Sequence, residues 1–139
     1  MNNFDERFLY PEAIEIDNRL SNNYLATPYV GLVRGNMFNE LYQGYKNYRP
    51  RELRASNDKE KLMLDIMMYS NAIQDLNLYL DLHPEDRDII NLRGRYLDMY
   101  KDSVNKYESR YGALTLKSDA TKKSPWDWDK NNFPWEERK

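Results

Sequence analysis

Between Leu62 and Tyr111 two apolar seams stand on either side of a proline, and that arrangement leaves the chain few folds to choose from. Leu62, Ile66, Tyr69, Ile73, Leu76 and Leu80 follow one another at spacings of 4, 3, 4, 3 and 4, which places them on one stripe of an α-helix. Ile90, Arg93, Leu97, Tyr100, Val104, Tyr107 and Tyr111 repeat the same rhythm further on. Asn57 with Glu60 three residues later makes a capping box ahead of the first stripe. His83 precedes Pro84 and is therefore pushed out of helical backbone, which ends the first helix near Leu82. Pro84 suits the first position of the next helix, with Glu85 and Asp86 in its first turn, and Gly112 is its C-cap candidate. Two long helices at about 57–82 and 84–111, joined by so short a turn, must lie antiparallel. The chain is predicted to be all-α, built on a helical hairpin.

A bare hairpin leaves too much apolar surface wet. Leu64, Met67, Met68, Leu78, Ile89, Tyr96 and Met99 fall outside the main seams and need cover. The expected cover is the chain's own aromatic ends together with another subunit or a partner, which allows a homo-oligomer. With 12 tyrosines the chain is rich in side chains suited to half-buried contacts, and Tyr79 and Tyr96 are expected among those that meet a partner.

Residues 1–56 show no sustained period. Apolar clusters such as Phe8-Leu9-Tyr10, Tyr29-Val30-Gly31-Leu32-Val33 and Met37-Phe38 are interrupted by Pro11, Pro28, Gly31, Gly35, Gly44 and Pro50. Short helices are expected at 12–20 and 36–43, and otherwise turns and single helical turns pinned by aromatics. The chain thus divides into an irregular N-terminal segment, 1–56, and a hairpin with its tail, 57–139. Residues 113–123 read as a polar linker. Beyond them all three tryptophans crowd into Ser124-Pro125-Trp126-Asp127-Trp128 and Phe133-Pro134-Trp135, a tail that cannot extend a helix and is too aromatic to stay solvated. Trp126, Trp128, Phe133 and Trp135 are the candidate anchors, either on a partner or on the chain's own hairpin.

The composition excludes several roles. A near balance of 21 basic and 23 acidic residues gives no electrostatic footprint for nucleic acid or an anionic membrane. No apolar run approaches the roughly 18 residues of a membrane span, and the start lacks a signal peptide's basic and apolar regions. The lack of cysteine removes disulfides, thiolate metal sites and a thiol nucleophile, and fits a reducing cytoplasm. His83, the one histidine, lies among carboxylates, but a stable transition-metal site wants more than one nitrogen or sulfur ligand. There is no Glu-x-x-His pair, no Gly-rich phosphate loop and no Gly-x-Ser-x-Gly elbow. No catalytic, cofactor-binding or metal-binding residue is expected, and Arg93 on the second seam is expected to snorkel to the rim.

The run Leu76-Asn77-Leu78-Tyr79-Leu80-Asp81-Leu82-His83-Pro84-Glu85-Asp86, then Tyr111-Gly112-Ala113-Leu114, then Pro125-Trp126-Asp127-Trp128 with Pro134-Trp135-Glu136, resembles the CotJB family of spore coat proteins over about residues 62–137. Upstream, Leu25-Ala26-Thr27-Pro28-Tyr29-Val30 and Arg34-Gly35-Asn36-Met37-Phe38-Asn39-Glu40-Leu41-Tyr42 are similar to the companion CotJA family, within about 25–50, though with a shorter spacing. The resemblance implies a non-enzymatic structural or assembly protein of the inner endospore coat, made in the mother cell and bound to other coat components. A second implication is an accessory role beside a manganese-catalase-like protein, acting on its assembly or localisation.

Overall fold

In the computed structural model residues 25–126 and residue 128 are described. They form three helices, α1 (Pro28–Arg34), α2 (Asp58–Leu82) and α3 (Arg87–Tyr111), with 3-10 turns at Asn39–Leu41 and Asp119–Lys122. Among the described residues there is no strand, only one antiparallel backbone bridge between Leu25 and Phe38. The helix expected at 12–20 lies outside the described residues.

The hairpin forms as the seams require. Asn57 caps α2 by accepting from the Glu60 N–H at 2.9 Å, while the Glu60 carboxylate reaches back one residue further than in a standard capping box, to the backbone N–H and hydroxyl of Ser56. α2 and α3 pack side by side, antiparallel, through Leu62, Ile66, Tyr69, Leu76, Leu92, Tyr96 and Tyr107. Gly112 closes α3, its N–H donating to the Glu108 carbonyl.

Two details differ from expectation. α3 begins at Arg87, because Asp86 is the better start: its carboxylate accepts from the Ile89 N–H, and Pro84 and Glu85 stay in the turn. The buried stripe of α3 is also rotated, running through Ile89, Leu92, Tyr96, Ser103 and Tyr107, while Ile90 is exposed. A straight helix drifts about 20° per heptad from a 3.5-residue repeat, so a seam held to alternating spacings of 3 and 4 over three heptads cannot follow the true face along its whole length. Arg93 consequently sits at the helix interface, half-buried, and its Nε donates to the Asn77 amide oxygen on α2.

The surplus apolar strips of α2 are covered in part by the N-terminal segment. α1 packs on α2, and Tyr29 and Met37 share one buried cluster with Met68, Ala72 and Leu76. The hydroxyl of Tyr29 ties down the following strand-like stretch by donating to the Leu53 carbonyl and accepting from the Leu53 N–H. α1 was not legible as a helix. Pro28 occupies its first turn, Thr27 caps it by accepting from the Val30 N–H at 3.3 Å, and Gly35 ends it at a φ of 80°. Gly31 stands where a Cβ would collide with the Met37 sulfur, so glycine there permits the close approach of the returning chain. Of the helix expected at 36–43 only the single turn Asn39–Leu41 forms.

Candidate functional site

Tyr79 organises the turn end of the hairpin. Its ring stacks on Phe38 at 5.3 Å between centroids and on His83 at 4.4 Å, and its hydroxyl donates to Asp86 at 2.9 Å. One turn earlier Asp75 accepts from the Met37 N–H at 2.9 Å, which pins the returning N-terminal segment against α2. The Leu-Tyr-Leu-Asp-Leu-His-Pro-Glu-Asp run is therefore a structural knot. One tyrosine joins the end of α2, the cap of α3 and the segment that follows α1.

Beside that knot lies an open groove of about 570 Å³, walled by Phe38, Leu41, Leu78, Tyr79, Leu82 and His83. Leu41, Leu78 and Leu82 are 70%, 57% and 80% exposed. Three neighbouring leucines that wet form an exposed apolar patch, the kind of surface on which contacts are made. The signal for it was present in Leu78 and Leu82, four residues apart and off the main seam, but Leu41 arrives from a distant part of the chain.

The opposite end of the hairpin is held by polar contacts. The Asp58 carboxylate accepts from the Tyr111 hydroxyl at 2.7 Å and from Arg110 at 2.9 Å. These bonds, that of Tyr111 first, hold the Asp58 carboxyl below its ordinary range, and the bond to Asp58 pushes the Tyr111 phenol up. Glu108 accepts from the Leu114 N–H and from the Ser118 hydroxyl, so residues read as a linker fold back on α3 before the 3-10 turn Asp119–Lys122.

The expected partner residues separate. Trp126 is 57% exposed and Trp128 is half-buried, whereas Phe133 and Trp135 lie outside the described residues. Tyr79 is half-buried and committed to its three contacts, one face of it lining the groove. Tyr96 is fully buried, packed near the Tyr69 ring at 5.9 Å, so it belongs to the core and leaves the set of surface contacts. No helix among the described residues is long and apolar enough to cross a membrane. No curated protein and no solved structure matches the chain. Residues 60–136, more than half of its length, match the model of a family described as CotJB protein, and that match takes in nearly all of the hairpin, the turn between its helices and the tryptophans of the tail.

Proposed function

The chain belongs to the CotJB family, a family of spore coat proteins, and from that premise we propose that it is a non-enzymatic assembly protein of the inner endospore coat that binds other coat components through its aromatic tail. The observation that carries the reading is Trp126, a large ring left more than half exposed and outside both buried clusters of the hairpin. Tryptophans at such positions serve as anchors, the few residues that supply most of an interface's affinity. The family match runs through Trp126, Trp128, Phe133 and Trp135, which supports reading the tail and the hairpin together. Synthesis in the mother cell and incorporation into the coat complete the proposal.

Truncation before Ser124 tests it. The shortened chain is expected to keep its helicity and its unfolding midpoint while losing retention of coat proteins from a spore extract. Replacing Trp126 and Trp128 by alanine should weaken the same binding on the order of 30-fold or more, the loss of at least one strong anchor. A truncated chain that melts early instead would show that the tail completes the hairpin's own core and would overturn the docking role.

A further inference from the structure

The two ends of the hairpin carry opposite charge. From Leu78 to Ile90, around the turn, the chain has Asp81, Glu85, Asp86 and Asp88 against Arg87 as its one permanent cation. The groove of Leu41, Leu78 and Leu82 opens at this end, with Glu40 in its wall and the exposed Asp81 and Glu85 beside it in the chain. Glu40, Asp81 and Glu85 have no basic partner among the described residues. At the far end the balance is reversed. Asp58 pairs with Arg110 and Asp119 with Lys122, while Glu108 is taken up by the Leu114 N–H and the Ser118 hydroxyl. Lys117 and Lys123 are left exposed there without an acidic partner among the described residues, and Leu116, next to Lys117, is 59% exposed.

We propose that these two ends are the halves of one interface between copies of this chain, Leu116 of one copy seated on the groove of the next, with Lys117 and Lys123 against Glu40, Asp81 and Glu85. The ends cannot satisfy each other within one molecule. Glu108 holds Ser118 near the last turn of α3, whereas the groove lies at the level of its first, and about 31 Å of helix separates the two at a rise of 1.5 Å per residue. Charge selects the orientation. Two copies meeting by their turn ends would set acid against acid over the same leucines, and two meeting by their far ends would set lysine against lysine; only head to tail do the unpaired charges match. Such a contact uses a different patch on each copy, so every pair leaves one groove and one lysine end open. Association therefore grows by addition, as a protein that builds a layer requires. Trp126 is not needed for this contact.

Sedimentation velocity of the full chain over a concentration series tests the proposal. At low ionic strength the average mass is expected to rise past that of a dimer, and added salt should reverse the rise, since the matched charges are exposed. Asp81→Lys with Glu85→Lys gives a chain that is basic at both ends, and Lys117→Glu with Lys123→Glu one that is acidic at both. All four positions are exposed, and circular dichroism checks that each variant keeps its helices. Each variant alone should associate on the order of tenfold more weakly or worse, and an equimolar mixture of the two should associate again. Leu78→Asp, a change at an exposed position in the groove, should abolish growth by itself. A mass that stays monomeric at every concentration, growth that halts at a dimer, charge variants that assemble like the native chain, or a mixture no better than its parts would each overturn the proposal. Every variant keeps Trp126 and Trp128, so retention of coat proteins from a spore extract should be unchanged, and the docking role of the tail stands or falls separately.

Discussion

α2 and α3 are each 25 residues long and lie against one another, yet they meet water in opposite ways. α3 is amphipathic, with Ile89, Leu92, Tyr96, Ser103 and Tyr107 inward and charged residues outward. α2 is apolar around most of its circumference and also buries Met68 and Ala72 in the cluster that takes in Tyr29 and Met37 of the N-terminal segment. A helix with only a narrow polar stripe is one that expects to be covered on its other sides. The hairpin is therefore less a pair of equals than a central rod, α2, with α3 on one flank and the N-terminal segment on another.

The largest effects should come from stripping either face of that rod. Leu76→Ala removes a fully buried side chain between α2 and α3 and is expected to cost about 2–5 kcal/mol in urea unfolding. Met68→Ala, on the face toward α1, should fall in the same range, because that side chain is also fully buried. Asp98→Ala on the outer side of α3 should stay within about 0.5 kcal/mol. Should Met68→Ala prove as mild as Asp98→Ala, α2 would have one structural face like α3, and the contrast would fail.

Next in size is the contact that brings the N-terminal segment to α2. Gly31→Ala sets a methyl group against the fully buried Met37, and overpacking of this kind costs about 1–3 kcal/mol. The loss should appear as weakened protection of α1 from hydrogen exchange before that of α3. A substitution without effect would mean that the second flank is looser than the first.

These residues also show where the sequence was readable. The α2 stripe was, since six apolar residues in strict rhythm leave one arrangement, and so were the local signals of Asn57 and Gly112. α1 was not, because Pro28, Gly31 and two valines argue against a helix when only neighbours are considered. What stabilises it is Asp75 and Met68, some forty residues away, which no local pattern announces. The start of α3 failed for a related reason: Pro84 is a good first residue in isolation, but Asp86 has both the Ile89 N–H and the Tyr79 hydroxyl to satisfy. The tail offered candidate anchors, but no local pattern in it names what they would meet. Tyr96 looked like surplus apolar surface only because the seam had been set one residue off.

Asp86→Ala sharpens the comparison at the turn end, where the two helices are joined. It removes the cap of α3 and leaves the Tyr79 hydroxyl without its acceptor, and is expected to cost about 1 kcal/mol, within the usual 0.5–2 for a lost N-cap. The damage should be confined to the first turn of α3, read as faster amide exchange at Asp88 and Ile89, while α2, held on its other faces, keeps its protection.

The smallest effect belongs to the other end, where Asp58 of α2 meets Arg110 and Tyr111 of α3 through exposed groups only. Its sign follows from the two shifts. Asp58 is held below the ordinary carboxylate range, so its contribution is present above about pH 4 and disappears as acid protonates the folded form. Tyr111 is pushed above the ordinary phenol range, so its contribution is present below about pH 10 and is lost as the pH rises through its folded value. Between those limits the clasp is closed and should be flat with pH. Comparing the urea midpoint of the native chain with that of Asp58→Asn isolates it: the gap between the two is expected to be constant near neutrality, to close in acid, and to narrow again in alkali, where tyrosinate faces carboxylate only in the native chain. High salt should shrink the gap throughout, as it does for surface pairs. A gap that persists below pH 3 would mean that Asp58 acts as a first-turn residue of α2 alone, and that nothing but the buried stripe joins the two helices at this end.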